Sequence, residues 1–487
     1  MKIAFATSEC VPYVKTGGLA DVAGALPKAL AKEGCEVKVF LPLYGSIDPA
    51  KYDLLLAIEL LDLAVQIGSK TVNFNVWYGK LPGSEAEVYC IDCPQYYHRG
   101  SVYTNDADED ERFILLQHAV LVILQHYHWA PDVLHCNDWQ TALLPAYLKE
   151  LYNWDHLFHN TATLFSIHNI AYQGRFPPDS VYRAGLSVND TYPGGPLEFD
   201  ASFSFLKTGI VYADLIATVS QTYADEIQTP EYGAGMEDFL AARVSDLFGI
   251  LNGIDVQDWN PRKDRLVRYH FSEKSLYNKR KNKHTLLDLA KLPFHQEVPV
   301  VGIVSRLTKQ KGLDLLLPVF QEIMQLPLQI IALGSGDAKL EHFFQQAAAT
   351  YPKQFAAYIG FNNELAHLIT AGADMFLMPS LYEPCGLNQM YSLNYGTVPI
   401  VRETGGLADT VRDLHEFPTH GNGFTFNEPS PHALYSTIWR AATVFKDQEI
   451  WKEIMKRGMA EDFSWRSSAK QYVELYKKAM AKRSTPK

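Results

Sequence analysis

The stretch KIAFATSECVPYVKTGGLADVAGALPKALAKEGCEVKVFLP, residues 2–42, is the part of the sequence that determines the fold class. It begins and ends with apolar runs, residues 2–7 and 36–42, and each run has the length of a buried strand. Between them, apolar residues recur at helical spacing, and Pro27 predicts a kink or a restart of that helix. The stretch therefore predicts a βαβ unit with its glycines at the first turn.

The same alternation continues and forms two series of strands. The first series adds apolar runs at residues 132–136, 162–167, 214–219 and 247–251, and the second has them at residues 298–305, 328–333, 374–379 and 397–401. Two such series predict an α/β protein with two parallel sheets. The seam falls at residues 252–261, where glycine, asparagine and proline end the pattern. We expect domains at residues 1–255 and 256–465, and an amphipathic helix, residues 467–480, within a terminal segment, residues 466–487.

Length and composition limit the classes of function. A chain of 487 residues is too long for one core, which also indicates two domains. The net charge of -11 argues against nucleic acid or an anionic membrane as a partner, but leaves room for a sugar polymer or a small anion. No signal peptide is recognisable and no apolar run is long enough to span a bilayer, so we expect a cytoplasmic protein. The six cysteines do not indicate a disulfide framework, and CIDC, residues 90–93, favours a strand over a metal site.

A hexapeptide, TGGLAD, occurs in each half of the chain, at residues 16–21 and 404–409. Glycine lets another group approach the backbone closely, and the N–H groups at a helix start attract anions. Thr16 and Thr404 are natural N-cap residues, and Lys15 beside the first copy favours phosphate there. Ordinary capped turns remain an equal alternative for one copy alone. Neither copy is GxGxxG, which argues against a dinucleotide-dependent oxidoreductase.

The second domain carries cations and an acid after its strands. Arg306 and Lys311 lie in VSRLTKQKGLDL, residues 304–315, on the loop that follows the first strand of this domain. Open α/β sheets bind ligands at this edge, and an arginine with a lysine suits a diphosphate. A solvated basic pair is the alternative. Glu383, followed by proline and glycine, lies at the same predicted edge after another apolar strand.

Six motifs together resemble bacterial glycogen synthases and plant starch synthases. In chain order they are KTGG (15–18), HCNDWQ (135–140), IHNIAYQG (167–174), LNGID (251–255), VSRLTKQKG (304–312) and EPCGLNQ (383–389). The resemblance covers residues 2 to about 478. It implies a GT-B fold, in which two Rossmann-like domains face an interdomain cleft and the terminal helix returns to the first domain. It also implies transfer of glucose from ADP-glucose to the non-reducing end of an α-1,4-glucan, with anomeric retention and with no metal or other cofactor.

The resemblance assigns roles to individual residues. Arg306 and Lys311 would hold the donor diphosphate, assisted by Lys15, because the departing ADP must be neutralised. His168 would orient the sugar and stabilise an oxocarbenium-like transition state. Glu383 would lie beside the donor glucose, where the roles of nucleophile, charge stabiliser and hydroxyl-binding group all stay open.

A larger set matches family positions that contact substrate. These residues are Thr16, Gly17, Gly18, Asp21, Asp138, Trp139, Asn169, Asn252, Phe361, Cys385, Gly386, Leu387, Thr404, Gly405 and Gly406. Phe361 stands where a tyrosine commonly stacks on the adenine ring, and it keeps the stacking face. Trp139 is a sugar platform or a core residue, and Asp21 could instead complement the helix dipole.

Four positions depart from the family pattern. Tyr391 stands where many GT-B enzymes carry a second glutamate, which fits the starch-synthase branch. Asn137 replaces a frequent histidine, Leu381 a common arginine and Asn388 a common threonine. The loss of a cation at Leu381 makes donor affinity the property most open to change.

NDADEDER, residues 105–112, contains Asp106 and Asp108 in the spacing that metal-dependent glycosyltransferases of another fold use. Because a helix follows, we interpret these acids as solvated residues that complement its dipole, with no metal implied. Two alternatives to the ADP-glucose enzyme remain. One is a GT-B transferase that uses UDP-glucose or another nucleotide sugar, and the other is a non-catalytic glucan-binding homologue.

Overall fold

In the computed structural model, which describes residues 1–484, the chain divides into two compact units. Unit 1 comprises Met1–Val219, Ala224–Gly253 and the chain from Trp465 onward, and unit 2 comprises Ser220–Tyr223 and Ile254–Ser464. Residues 485–487 of the predicted terminal segment lie outside the described residues. Among residues 1–484, no helix has both the length and the apolar character that a membrane crossing requires.

Unit 1 is built on a ten-stranded sheet in the order β13-β12-β8-β7-β1-β2-β6-β5-β3, with β4 paired to β5. The strands are β1 (Lys2–Ala6), β2 (Glu36–Pro42), β3 (Leu55–Leu56), β4 (Leu63–Ile67), β5 (Lys70–Lys80), β6 (Glu87–Asp92), β7 (Val133–Asn137), β8 (Ala162–Ile167), β12 (Leu215–Thr218) and β13 (Leu247–Gly249). A small antiparallel sheet joins β9 (Arg175–Phe176), β10 (Glu198–Phe199) and β11 (Ser202–Ser204). The ladder from β13 to β6 is parallel, as the alternating pattern predicted.

Unit 1 has helices between and after its strands. They are α1 (Gly18–Lys32), α2 (Pro94–Tyr97), α3 (Glu109–His126), α4 (Leu144–Ala146), α5 (Ser180–Arg183), α6 (Phe205–Tyr212), α7 (Gln221–Glu226, which begins in unit 2), α8 (Glu237–Ala241) and α17 (Trp465–Ser484). The last of these packs against α1 and β8. Its Tyr476 hydroxyl lies 2.8 Å from Nδ1 of the fully buried His135, and Ser468 Oγ donates to the Leu251 carbonyl at 2.7 Å.

The predicted restart of the first helix at Pro27 is wrong, because α1 runs through that residue without interruption. Proline cannot donate to the carbonyl four residues earlier, which belongs to Ala23. Cys10 Sγ takes the place of the missing donor and lies 3.3 Å from that oxygen. Burial raises the pKa of the Cys10 thiol to about 12, so the sulfur keeps its proton. A thiol from the preceding loop therefore satisfies the carbonyl that proline leaves unpaired.

Unit 2 is a six-stranded parallel sheet in the order β16-β15-β14-β17-β18-β19. Its strands are β14 (Val300–Val304), β15 (Gln329–Gly334), β16 (Phe355–Ile359), β17 (Met375–Met378), β18 (Val398–Arg402) and β19 (Phe424–Phe426). Its helices are α9 (Tyr277–Leu289), α10 (Phe320–Ile323), α11 (Ala338–Thr350), α12 (Asn363–Gly372), α13 (Asn388–Asn394), α14 (Gly405–Thr410), α15 (Pro431–Val444) and α16 (Gln448–Met459). Val301 and Val300 belong to separate apolar clusters, so both faces of the sheet are covered, as near-continuous apolar strands indicate.

The interpretation of the acids of residues 106–111 as solvated agrees with the exposed Asp106, but it is wrong for Glu109, Asp110 and Glu111, which are buried. Asp106 and Asp108 both accept hydrogen bonds from Arg99, at 2.8 and 2.6 Å. The next three acids open α3 and are buried, with Glu109 paired to the fully buried Arg112 at 2.6 Å. Arg112, within the same motif, compensates Glu109, whereas Lys70, distant in sequence, compensates Glu111 at 2.8 Å.

Candidate active site

The loop after β14 borders a cavity of about 220 Å³ at the carboxyl ends of β14 and β17. The cavity is lined by Val304, Ser305, Arg306, Lys311, Leu313, Leu377, Met378, Pro379, Ser380 and Asn388. Arg306 is exposed, and its Nη2 donates to Gln310 Oε1 at 3.4 Å. The two cations predicted for a diphosphate thus lie at one cavity, at the edge where parallel sheets bind ligands.

Lys311 and Glu383 form an ion pair at this cavity. Lys311 Nζ donates to Glu383 Oε2 at 2.5 Å, and Ser380 Oγ donates to the same oxygen at 2.9 Å. The Glu383 residue is only 7% exposed. Gly312, at φ 63°, lets the loop that carries Lys311 pass close to Pro379, directly after β17. A Cβ atom at Gly312 would lie 1.9 Å from the Pro379 carbonyl oxygen.

The second TGGLAD copy packs against the loop of the same unit that carries Glu383, between β17 and α13. We call this loop the glutamate loop. A Cβ atom on Gly405 would lie 2.1 Å from the Glu383 carbonyl oxygen, and one on Gly406 would lie 2.0 Å from the Cys385 carbonyl oxygen. The Gly406 N–H donates to the Glu383 and Pro384 carbonyls, both at 3.1 Å. Glycine is required here because the chain's own backbone fills the space.

Asp409, the aspartate of this second copy, also serves the scaffold of unit 2. Its carboxylate accepts hydrogen bonds from the backbone N–H groups of Gln221, at 2.6 Å, and of Thr222, at 3.1 Å. Ser220 Oγ, in the same short segment, donates to the Pro384 carbonyl at 2.5 Å. Thr404 occupies the N-cap position of α14, as predicted, but its side chain makes no cap hydrogen bond.

The first TGGLAD copy has a different environment. Cβ atoms built on Gly17 and Gly18 meet nothing within 4 Å. Lys15 Nζ lies 2.7 Å from Asp21 Oδ1, and both side chains are partly exposed. The expectation that Thr16 caps α1 is wrong, because Gly17 is the N-cap residue and Thr16 Oγ1 donates to Glu9 at 2.6 Å.

His168 and Asp138 follow β8 and β7 in unit 1. Asp138 Oδ1 accepts the His168 backbone N–H at 2.7 Å, and His168 Nε2 lies 3.0 Å from Asn137 Oδ1. Burial raises the pKa of the Asp138 carboxyl to about 7, although N–H groups of His168 and Asn169 oppose the shift. Burial lowers the pKa of the His168 imidazole to about 4, so the ring is neutral at pH 7. Asp138 also holds a left-handed φ of 56°.

Three further candidates of unit 1 have distinct surroundings. Asn169 Oδ1 accepts the Ala171 backbone N–H at 3.0 Å. Asn252 is 8% exposed, and its buried Oδ1 has no hydrogen-bond partner in the described chain. Trp139 is 9% exposed, its ring centroid lies 4.9 Å from that of Phe113, and it fills the space over Gly174, which favours its core alternative.

The remaining candidates belong to unit 2. Phe361 follows β16 and is 89% exposed, so its ring face is available for stacking. Cys385 is buried, whereas Leu387 is partly buried at the N-cap of α13. Gly386 has φ 68°, where a side chain would be strained.

The positions that depart from the family pattern have structural roles. The Tyr391 ring stacks on Trp259, with centroids 3.9 Å apart. Asn137 Nδ2 donates to the Ala6 carbonyl at 3.0 Å, and Asn388 Nδ2 donates to the Val304 carbonyl at 2.8 Å. The Leu381 carbonyl accepts from Arg402 Nη1 at 2.6 Å. A cation is thus near residue 381, but a main-chain oxygen engages it.

Sequence reasoning did not identify Glu9 or Ser380, which hold the first glycine turn and the Glu383 carboxylate. Ser380 lies three residues before Glu383, and a serine at that distance from an acid is too common to be informative. Glu9 follows β1, so an acid at the carboxyl edge of the first strand was the available signal.

Two families match the sequence. Residues 2–242 match the family described as Starch synthase catalytic domain, and residues 287–457 match Glycosyl transferases group 1. The chain is 45% identical to the glycogen synthase of Desulforudis audaxviator (strain MP104C), with 99% of this chain and 97% of that protein covered. It is 44% identical to the glycogen synthase of Moorella thermoacetica (strain ATCC 39073 / JCM 9320), with 99% and 98% covered.

Solved structures give a consistent result. The catalytic domain of starch synthase IV from Arabidopsis thaliana, bound to ADP and acarbose, matches with a TM-score of 0.87 and 32% identity over 99% of each chain. Sucrose-phosphate synthase from Thermosynechococcus elongatus matches with a TM-score of 0.58 and 17% identity over 99% of each chain, a likeness of fold alone.

Proposed function

The chain belongs to the glycogen and starch synthase family of GT-B glycosyltransferases, and on that premise we propose that it transfers glucose from ADP-glucose to the non-reducing end of an α-1,4-glucan. The observation that carries the proposal is the ion pair of Lys311 and Glu383, which borders the cavity that Arg306 also lines. We expect the reaction to retain the anomeric configuration, to take place in the cytoplasm and to need no metal or other cofactor.

Arg306 and Lys311 are proposed to bind the donor diphosphate. Arg306 offers paired donors to phosphate oxygens, and an ammonium has three N–H donors, of which Lys311 gives one to Glu383. As the glycosidic bond to ADP breaks, negative charge grows on the departing oxygen, and fixed cations stabilise it. Phe361, exposed after β16, is proposed to stack on the adenine ring.

His168 and Glu383 are proposed to act on the transferred glucose. The neutral imidazole of His168 can donate or accept one hydrogen bond to the sugar without adding charge. Glu383 is held by Lys311 and Ser380 through one oxygen, Oε2, so Oε1 is its candidate atom for stabilising an oxocarbenium-like centre or binding a hydroxyl group. Lys15 is proposed as a further cation for the departing diphosphate.

The test is incorporation of labelled glucose into glycogen from ADP-glucose and from UDP-glucose, measured side by side with the same enzyme preparation. We expect ADP-glucose to be the better donor by kcat/KM. The Lys311→Ala variant is the control for background incorporation. Faster transfer from UDP-glucose would support the alternative of a GT-B transferase that uses UDP-glucose. Binding of glycogen without transfer from either donor would support a non-catalytic glucan-binding protein.

A further inference from the structure

Glu9 lies at the base of the first glycine turn, outside every set of residues assigned to substrate above. It is 3% exposed and follows β1. Its carboxylate accepts hydrogen bonds from the backbone N–H of Thr16, from Thr16 Oγ1 at 2.6 Å and from the backbone N–H of Gly17 at 3.0 Å. One buried side chain thus holds the main chain of the two residues that follow Lys15.

The same carboxylate takes the place that an anionic substrate was predicted to fill. N–H groups at the start of a helix attract anions, and the N–H groups of Thr16 and Gly17 are directed to Glu9. The charge that this turn offers to a substrate is therefore that of Lys15, whose position depends on the turn. Gly17 and Gly18 have open space beside them, so neighbouring side chains do not hold the turn from that side.

Glu9 is itself held through the segment that precedes α3. The Tyr103 hydroxyl donates to Glu9 Oε1 at 2.5 Å. Arg112, fully buried, donates to the Val102 carbonyl at 3.0 Å and to Glu109 at 2.6 Å, and Glu109 accepts the Thr104 backbone N–H at 3.0 Å. Arg112 and Glu109 thus help to hold Tyr103 in place, and Tyr103 braces the carboxylate.

We propose that Glu9 is a positioning residue for glucosyl transfer: its carboxylate fixes the main chain at Thr16 and Gly17 and thereby the position of Lys15. The inference rests on the proposed function, in which Lys15 acts on the departing diphosphate. Charge-assisted hydrogen bonds to a buried carboxylate are the strong kind, and a displacement of about 1 Å at a reacting group can slow a reaction about a hundredfold.

The test combines Glu9→Gln with Lys15→Ala. Glutamine keeps the shape of the side chain but replaces one acceptor oxygen with an NH₂ group, which cannot accept these bonds. We expect Glu9→Gln to lower kcat about tenfold or more, as loss of a charge-assisted hydrogen bond would, with donor KM changed less than about threefold. In the Lys15→Ala background the same substitution should lower kcat by less than about threefold, because the group that it positions is gone.

Glu111→Gln is the matched control. Glu111 is also 3% exposed, belongs to unit 1 and accepts bonds from Lys70 at 2.8 Å and from Tyr96 at 2.5 Å, but it has no bond to the turn. It should lower the unfolding temperature as Glu9→Gln does, without the loss of kcat. If Glu9→Gln does not fold, Tyr103→Phe removes one brace of the carboxylate and should lower kcat in the same direction.

Unchanged kcat in folded Glu9→Gln, or losses that add fully in the double variant, would overturn the inference while leaving the proposed function intact. A similar loss of kcat in Glu111→Gln would also overturn it, since general destabilisation would then be sufficient. Absence of glucose transfer in the unsubstituted chain would instead refute the proposed function.

Discussion

Gly406→Ala and Gly18→Ala are the same substitution at matching positions of the two TGGLAD copies, and we expect different effects on stability. At Gly406 the new Cβ would lie 2.0 Å from the Cys385 carbonyl oxygen and 2.6 Å from its carbonyl carbon. Both are backbone atoms, so the glutamate loop has to move. At Gly18 the new Cβ meets nothing within 4 Å.

The magnitude follows from the contacts that Gly406→Ala disturbs. Overpacking costs about 1–3 kcal/mol, and loss of the Gly406 N–H bonds to the Glu383 and Pro384 carbonyls adds about 0.5–1.5 kcal/mol. A total of about 1.5–4.5 kcal/mol lowers the melting temperature of a unit of about 150–250 residues by roughly 3–18 °C. Gly18 is the first residue of α1, and alanine is at least as good a helix former as glycine. The melting temperature of Gly18→Ala should therefore differ from that of the parent by less than about 2 °C.

Calorimetric melting and steady-state glucose transfer separate the two outcomes. Gly406→Ala should lower the melting temperature and kcat together, because the loop that moves carries Glu383. Gly18→Ala should keep the melting temperature, and any loss should fall on kcat/KM if substrate approaches the open backbone. Equal melting temperatures for both variants, with full activity of Gly406→Ala, would refute the reasoning from the packed and open glycines.

Three further predictions concern charge. Glu383→Gln should lower kcat by about a hundredfold or more with little change in donor KM, and near-normal turnover would show that the charge is dispensable. Asp138→Asn should stabilise the fold above pH 7 but not near pH 4. The pKa of the Asp138 carboxyl is about 7 in the native protein, above its ordinary value of 3.8. The protonated carboxyl therefore contributes stability at low pH, and this stability is lost as pH rises through 7. Melting curves of the variant and the parent across this pH range measure the difference. The titration of His168 contributes to both sets of curves and cancels in the comparison. Glucose transfer should survive excess EDTA, because the cations of Arg306 and Lys311 are proposed to take the place of a metal at the diphosphate, and loss restored by Mn²⁺ would contradict this.

The sequence predicted the central parallel strands because their apolar runs are bounded by turn residues, and β2 and β8 match residue for residue, whereas β3–β5, β9–β11, β16 and β19 were not predicted. Pro27 was misjudged because the compensation comes from a thiol at Cys10, outside the helix. Glu111 was misjudged because its partner Lys70 is distant in sequence. Local pattern cannot show such pairs.

The site was predicted in a different way. Arg306 and Lys311 followed from their place after a strand, whereas the roles of His168 and Asn252 rested on resemblance alone. The TGGLAD sequence did not distinguish the surroundings of its two copies, because a local sequence gives no information on what packs against it. Only tertiary structure shows that Gly406 contacts backbone and Gly18 does not.

The packing of α17 on α1 and β8 has a consequence for synthesis on the ribosome. Unit 1 begins at Met1, but its last helix starts at Trp465, after Ile254–Ser464 of unit 2 has been translated. At about 5–20 residues per second, that interval lasts roughly 10–40 s. During this time the strands of the unit 1 sheet have been synthesised, but His135 still lacks its hydrogen-bond partner, the hydroxyl of Tyr476. Unit 2, apart from Ser220–Tyr223, is one continuous segment and can finish first, so the amino-terminal unit completes its core last.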